Sequence, residues 1–295
     1  MDIRQLRYLI ALAQEEHFTR AAEVCNVTQP TLSGRIRQLE QELGVSIVKR
    51  GHRYHGLTGE GARVLSWAKR IVEDCEGMRG ELEALTGDLT GSITLGVIPS
   101  ALPMIADLTG PLRKLYPQVG FTIMSRTSNE IARQIEDCSI DAGVTYLDNE
   151  PLDNYQTWPL YRESYRLFVN SDHPFADRET VTWAEVASVP LCLLTPDMQN
   201  RRIVNAAFRQ ANCVAVPEVE SNSIISLCVH VQESNLAAVL PENVLRIVKG
   251  QDQLRAIRIV EPMAEYTVGL VVQDRDPLPI LVSSLASIAE TFAAD

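Results

Sequence analysis

The side chains best suited to reading nucleic acid are concentrated between residues 29 and 38. This segment carries amide, hydroxyl and guanidinium groups, and no acidic residue appears in it before Glu40. Groups of this kind form hydrogen bonds with base edges and phosphate oxygens. The segment therefore predicts a nucleic-acid-contacting face, composed of Gln29, Thr31, Ser33, Arg35, Arg37 and Gln38.

Three helices are expected to hold this face. Apolar residues with a helical period predict the first helix over residues 3–16. Thr19 is the expected cap of a short second helix, TRAAEVC. A third helix should begin near Gln29-Pro30, because proline belongs in a first turn. Its apolar stripe consists of Leu32, Ile36, Leu39 and Leu43. This arrangement favours a helix-turn-helix, although an ordinary helical hairpin has the same pattern.

A basic turn follows the third helix. Gly44 is expected to end that helix, and a short apolar run leads into the turn KRGHRYHG, which contains Lys49, Arg50 and Arg53. No acidic residue lies between Gly44 and Gly59. A strand, a basic loop and a return strand predict a wing, an element that reaches the DNA backbone or minor groove.

The distribution of charge matters more than the net charge of −11. Residues 1–90 contain 12 basic and 13 acidic residues, whereas residues 91–295 contain 15 and 25. The acidity therefore belongs to the second part of the chain. No apolar run is long enough to cross a membrane and no signal peptide is evident, so we expect a cytoplasmic protein.

Two segments resemble the LysR-type family of bacterial transcription regulators. They are FTRAAEVCNVTQPTLSGRIRQLEQELGV and VKRGHRYHGLTGEGARVL, and the resemblance is strong over residues 1–65 and weaker toward the chain end. It implies binding of double-stranded DNA at a dyad operator, through a recognition helix in the major groove and a wing. The contact residues that it implies are Gln29, Pro30, Thr31, Ser33, Arg35, Arg37, Arg50 and Arg53.

A long helix without proline is expected from Gly59 to Gly87. Its heptad spacing favours coiled-coil pairing, whereas a helix packed on its own domain would have a period nearer 3.6. In the family that the chain resembles this helix forms the dimer, so we expect a homodimer or homotetramer, with RNA polymerase as a further partner. The predicted seam consists of Val64, Ala68, Ile71, Cys75, Met78, Leu82 and Leu85.

Strands alternate with helices from residue 91 onward, which predicts an α/β domain with parallel strands. The resemblance implies two lobes like those of a periplasmic binding protein, crossed by the chain near Leu160–Glu163 and Glu265–Thr267. The expected fold is an N-terminal all-α winged helix-turn-helix, a long linker helix and a C-terminal α/β two-lobed domain. The expected bounds are 1–58 for the DNA-binding domain, 59–88 for the linker and dimerisation helix, and 89–295 for the effector-binding domain, with lobe I at 91–162 and 268–295 and lobe II at 163–267.

A ligand site is expected between the lobes, where strand ends and helix N-termini meet. Helix N-termini that carry hydroxyl groups favour anions, although serine and threonine are also ordinary helix caps. A small anionic effector, such as a carboxylate, is the resulting hypothesis. The candidate residues are Ser100, Ala101, Ser128, Thr145, Thr195, Met198 and Gln199.

Two branches of the family suggest narrower functions. HFTRAAEVCNVTQPTLSG resembles the peroxide-sensing branch, but TPDMQNRRIVNAAF, the segment that would carry its redox pair, contains no cysteine. AGVTYLDNEPL, TWAEV and LCLLTPDMQNRRIVNAAF resemble regulators encoded beside formate dehydrogenases, which implies formate as an effector. A ligand-binding protein that acts without DNA is a further alternative.

An enzyme is not expected. The chain has no nucleophile elbow, no H-E-x-x-H and no P-loop. Its six cysteines form no C-x-x-C pair and do not cluster with histidines, so we expect reduced thiols, no metal and no cofactor.

Overall fold

The computed structural model describes residues 1–49, 54–86, 89–148, 152, 154–248 and 253–292. The chain divides into two compact units, Met1–Thr90 with Pro277–Ile280 and Gly91–Asp276 with Leu281–Asp295. The described part of the first unit is helical, apart from one β-bridge, and the second combines helices with a ten-stranded sheet. These architectures agree with the fold class predicted from the sequence.

The helices described in the first unit are α1 Ile3–Glu15, α2 Phe18–Val24, α3 Gln29–Leu43 and α4 Gly59–Thr86. α2 is capped by His17, not by Thr19 as predicted. His17 Nδ1 accepts hydrogen bonds from the backbone N–H groups of Thr19 and Arg20, at 3.2 and 3.5 Å. The Thr19 prediction is wrong because Thr19 already lies in the first turn, where its own N–H needs an acceptor.

α3 packs on its neighbours through Leu32, Ile36 and Leu39, all of which are buried. Leu43, the fourth residue of the predicted stripe, is 40% exposed, so the apolar contact ends one turn before the helix does. Gly44 then adopts a φ of 70° and ends the helix, a conformation that favours glycine.

α4 does not present one continuous seam. Ala68 is fully buried in a cluster with Leu6 and Leu9 of α1, and Val64 and Ile71 pack against the same cluster. The prediction of an intermolecular seam is therefore wrong for this half of the helix. A period of 3.5 differs from 3.6 by only about 20° per heptad, so spacing alone could not separate the two kinds of packing.

The second unit contains ten strands in its described part. Its helices are α5 Ile105–Leu115, α6 Ser128–Glu136, α7 Trp183–Val186, α8 Gln199–Gln210, α9 Ile224–Glu233, α10 Leu245–Val248 and α11 Ile280–Phe292, and short 3-10 turns span Pro99–Met104 and Glu242–Val244. The strands are β1 Gly91–Val97, β2 Val119–Ser125, β3 Ala142–Tyr146, β4 Tyr155–Asn170, β5 Thr180–Thr182, β6 Leu191–Leu194, β7 Val219–Ser221, β8 Ala237–Pro241, β9 Leu254–Val260 and β10 Glu265–Gln273.

The sheet has the order β2-β1-β3-β10-β4-β8-β6-β7, with β9 beside β4 and β5 beside β9. β1 is parallel to β2 and β3, and β6 is parallel to β7 and β8. β4 is antiparallel to β8, β9 and β10, and β10 is antiparallel to β3. The prediction of parallel strands is therefore wrong for these pairs, because the chain returns beside β4 in the opposite direction.

β4 belongs to both halves of this sheet. Residues 155–164 pair with β10, and residues 165–170 pair with β8 and β9. We call the half with β1, β2, β3 and β10 lobe I and the half with β5 to β9 lobe II. The chain passes into lobe II along β4 and returns through residues 261–264.

Within the described ranges, no helix is both long and apolar enough to cross a membrane. The same part of the chain contains no group of three or more His, Cys, Asp or Glu side chains that could hold a metal ion. The six cysteines are free thiols, and Cys192 and Cys228 are buried.

Candidate DNA interface and interlobe ligand site

The outward face of α3 carries most of the predicted contact residues. Gln29, Pro30, Thr31, Arg35 and Arg37 are exposed, and Ser33 is half-buried. The helix is positioned by its N-terminus, where Pro30 lies in the first turn and the Thr28 side chain accepts a hydrogen bond from the N–H of Thr31. The buried stripe on the opposite side fixes which face turns outward.

The two arginines of this face differ in their surroundings. Arg35 lies 3.8 Å from the carboxylate of Asp2 and donates a hydrogen bond to Gln38 at 3.2 Å. Arg37 forms no ion pair with any residue of the described ranges. Its charge is therefore more available to a phosphate than that of Arg35.

The segment after α3 forms the base of the predicted wing. Val48 pairs with Leu57 in an antiparallel bridge, and Lys49 N–H donates to the carbonyl of Gly56 at 3.0 Å. Glu40 of α3 fixes this base by accepting the N–H groups of Ile47 and Val48, at 2.7 and 3.0 Å. Arg50 and Arg53, the predicted wing contacts, lie outside the described residues.

The predicted ligand residues lie at the ends of elements in both lobes. In lobe I, Ser100 and Ala101 follow β1, Ser128 begins α6 after the capping residue Thr127, and Thr145 lies near the end of β3. In lobe II, Thr195 follows β6, while Met198 and Gln199 begin α8. Thr195 is half-buried, and the side chains that are buried are Ser100, Ala101, Ser128, Thr145, Met198 and Gln199.

Direct hydrogen bonds join some of these residues across the lobes. Ser128 Oγ donates to Gln199 Oε1 at 2.5 Å, and Gln199 Nε2 donates to the carbonyl of Asp148 at 3.5 Å. Asn200, which was not predicted, donates to the hydroxyl of Tyr146 at 3.3 Å. The N-terminus of α8 is thus held against the N-terminus of α6 and the end of β3.

Thr145, Thr195 and Met198 form no hydrogen bond within this network. The hydroxyls of Thr145 and Thr195 are buried and lack a hydrogen-bond partner within the described part of the chain. Buried hydroxyls of this kind are commonly satisfied by a ligand or by water. Met198 belongs to the apolar core of lobe II together with Leu194 and Leu227.

A buried acid lies at the centre of the junction. Glu163 of β4 is 2% exposed, and its Oε1 accepts hydrogen bonds from the hydroxyls of Tyr146 and Tyr165, the latter at 3.2 Å. Ser100 Oγ lies 3.3 Å from the Tyr146 hydroxyl. Glu163 Oε2 is buried without a hydrogen-bond partner among the described residues. We call Ser100, Tyr146, Glu163, Tyr165 and Asn200 the junction cluster.

The protonation of the junction cluster follows from its burial. Burial raises the pKa of Glu163 to about 7, although the hydrogen bonds that it accepts partly oppose this effect. Burial and the nearby charge of Glu163 also raise the pKa of Tyr146 well above its ordinary value. The cluster thus has one group that changes charge near neutral pH, and its tyrosines act as neutral donors.

Sequence reasoning missed Glu163 because it was placed at a crossing between the lobes rather than in a strand. The available signal was an acidic residue between two tyrosines, in the run Tyr-Arg-Glu-Ser-Tyr. Alternation along a strand places Glu163 and Tyr165 on one face, and buried acids need partners of this kind.

Comparison with protein families identifies both parts of the chain. A model described as "Bacterial regulatory helix-turn-helix protein, lysR family" matches residues 3–62. A second model, "LysR substrate binding domain", matches residues 86–293. Together they cover α1 to α3, the two ends of α4 and the two-lobed second unit.

Proteins similar to this chain in sequence are named as transcription regulators. The chain is 28% identical over 288 residues to the DNA-binding transcriptional dual regulator OxyR of Escherichia coli (strain K12), covering 97% of this chain and 94% of that protein. It is 30% identical over 233 residues to the HTH-type transcriptional regulator SsuR of Burkholderia cenocepacia, covering 76% and 73%.

Solved structures share the whole architecture. A full-length OxyR variant from Pseudomonas aeruginosa superposes with a TM-score of 0.81 at 27% identity, covering 98% of this chain and 94% of that one. CbnR in complex with its target DNA superposes with a TM-score of 0.71 at 18% identity, covering 99% and 100%, a likeness of fold alone.

Proposed function

Because this chain belongs to the LysR family of DNA-binding transcription regulators, we propose that α3 reads a dyad operator and that the interlobe junction binds a small effector. The family consists of transcription regulators, not of enzymes. The observation that carries the DNA proposal is the exposed face of α3, which has no acidic residue before Glu40. The proposed domain bounds stay those expected from the sequence, 1–58, 59–88 and 89–295.

Within this face the roles of the contact residues are proposed to differ. Gln29, Pro30, Thr31 and Ser33 lie in the first turns of α3, the part of a recognition helix that enters the major groove. Arg35 and Arg37 would neutralise phosphates, and Arg50 and Arg53 would do so from the wing. Gln29→Ala should therefore change sequence preference, whereas Arg37→Ala should weaken binding to all sequences alike.

We propose a homodimer or homotetramer that pairs through the outer half of α4. Met78 and Leu82 are 59% and 61% exposed, and they lie one turn apart on the same helix. Apolar side chains with this spacing suit a helical partner. Pairing would present two α3 helices to the two half-sites of a dyad, and RNA polymerase is the further partner proposed at the promoter.

For the effector we propose a small carboxylate, of which formate is one candidate. The N-termini of α6 and α8 meet at the junction, and the hydroxyls of Thr145 and Thr195 are buried without partners in the described structure. Positive helix ends favour anions. Glu163 would have to be protonated to accept such a neighbour, and its raised pKa supports this.

A redox-responsive regulator is the second candidate, favoured by similarity to proteins named hydrogen peroxide-inducible genes activators. The two buried thiols give it little support. Burial raises the pKa of Cys192 to about 12 and that of Cys228 to about 11, which suppresses the reactive thiolate. Residues 195–211, around the start of α8, contain no cysteine.

Footprinting on the DNA upstream of the coding region tests these proposals. We expect a protected dyad whose pattern changes with a small carboxylate and not with the matched amide. Ser128→Ala should keep the dyad and lose the response to the carboxylate, and Ser139→Ala provides a control at a distance from α8. Absence of protection at low salt would refute DNA binding. A response to peroxide and to no carboxylate would favour the redox alternative.

A further inference from the structure

A cavity lies where β4 passes from lobe I into lobe II, and Tyr165 is the one member of the junction cluster among its lining residues. It has a volume of about 200 Å³. Successive strand residues face opposite sides, so Ser164 and Arg166 face this cavity, whereas Glu163 faces the junction. The cavity is lined by Ser164, Tyr165, Arg166, Trp183, Glu242, Arg258, Ile259, Met263, Ala264 and Glu265.

Two guanidinium groups lie side by side in this cavity. Arg166 of β4 and Arg258 of β9 are partners in the antiparallel register, which places their Cβ atoms about 5 Å apart. Like charges in this position destabilise a sheet unless an anion compensates them. A negative charge beside the two guanidinium groups would therefore stabilise this pair of strands.

The nearby carboxylates already have partners. Glu242 uses both oxygens, accepting from Arg166 Nη2 at 2.6 Å and from Ser164 Oγ at 2.8 Å. Glu265 lies 3.6 Å from Arg162. Glu242 thus forms an ion pair with Arg166, and no carboxylate of the described residues lies within ion-pair distance of Arg258, although the charge of Arg258 helps to lower the pKa of Glu242.

The donors that remain belong to the two arginines. The contact made by Arg258 is with the sulfur of Met263, at 3.7 Å. The Nε of Arg166 is buried and has no hydrogen-bond partner in the described part of the chain. A guanidinium presents a planar fork of donors that matches the oxygens of a carboxylate or phosphate.

We propose that this cavity is an accessory site for a small oxyanion, a phosphate or a carboxylate, held by the fork of Arg258 and by Arg166 Nε. The two arginines do not belong to the junction cluster, and the proposal does not depend on the effector proposed there. Its walls include Ser164 and Ala264, which lie on the outgoing and returning crossings between the lobes. An anion bound here therefore contacts both crossings at once.

The test is a phosphorus NMR line-width titration of inorganic phosphate with the full chain, at constant ionic strength set with sodium chloride. Acetate, added as a competitor, distinguishes a carboxylate from a phosphate as the preferred group. Arg258→Gln should weaken phosphate binding about tenfold or more, the effect of losing a charge-assisted pair. Arg258→Lys, which keeps the charge but not the fork, should give an intermediate loss.

Two control variants show whether phosphate binds in this cavity or elsewhere on the protein. Arg255→Gln removes the same charge from β9 three residues away, on the other face of the strand, and should leave phosphate binding unchanged. Ser128→Ala alters the junction and should also leave it unchanged. Equal losses in Arg255→Gln and Arg258→Gln would overturn the proposal, as would loss in Ser128→Ala or the absence of saturable binding to the wild-type chain.

Discussion

Replacing Glu163 by glutamine should change how the stability of the second unit depends on pH. Burial raises the pKa of this carboxyl to about 7 from an ordinary 4.5, so the folded state holds a proton that the unfolded chain releases. The stabilisation from this proton is fully present below pH 4.5 and is lost as the pH rises through about 7. The difference between the two pKa values corresponds to about 3 kcal/mol in the free energy of unfolding.

Glu163→Gln keeps the size of the side chain and a carbonyl that can accept from Tyr146, but it cannot ionise. Relative to the wild type, the variant should therefore gain stability between about pH 5 and about pH 8, by up to about 3 kcal/mol. For a unit of this size that gain is roughly 6 to 12 °C in Tm. Thermal unfolding of the full chain, followed by near-ultraviolet circular dichroism at both pH values, measures it.

Glu130→Gln is the matched control. A backbone hydrogen bond from Thr127 lowers the pKa of Glu130, so this carboxyl is ionised in both the folded and the unfolded state above about pH 5. Its replacement should shift Tm by the same amount at both pH values. If the Tm difference between Glu163→Gln and the wild type is also the same at both pH values, Glu163 does not hold a proton up to about pH 7 in the folded state, and the prediction is wrong.

Three further outcomes can be measured. Formate should bind the wild-type chain more weakly as the pH rises through about 7, because ionised Glu163 repels it. Glu163→Gln should not show this loss of affinity. Calorimetric titration at two pH values measures the difference, and an affinity of the wild-type chain that does not change with pH would contradict the prediction. Gly61→Ala should lower the free energy of unfolding by about 1 to 3 kcal/mol, because the added Cβ would overlap the carbonyl oxygen of Ile47. In Gly59→Ala the added Cβ meets open space, so this control should lose less stability. Leu82→Asp should reduce the sedimenting mass, because this side chain is exposed in the single chain and belongs to the proposed pairing surface. An unchanged mass would place the subunit contact elsewhere.

Local patterns predicted the first unit well. The period of the buried residues located α3, and Pro30 and Gly44 marked its ends. The same local information could not predict that Ala68 packs inside its own domain, because that contact depends on α1, more than fifty residues earlier in the chain. β5 and α7, with three and four residues, are too short for a period to be visible.

The full length of β4 is difficult to predict from the sequence, because Pro159 lies inside the strand. Pro159 lies opposite Gly269, where the register between β4 and β10 shifts. The missing N–H of Pro159 therefore removes no regular hydrogen bond between the two strands. The sequence could not predict that the residues of the junction cluster meet. Its members come from widely separated parts of the chain, and only the antiparallel return beside β4 brings Glu163 to the end of β3.

An unbroken β4 also limits how the lobes can move. Its 16 residues extend over roughly 50 Å, with hydrogen-bonded neighbours in both halves of the sheet. A strand held in this way can twist or bend, but it cannot lengthen as a flexible tether would. We therefore expect the lobes to rotate relative to each other about the axis of β4. A conformational signal passed along β4 would then change the twist between the lobes and not the distance between them.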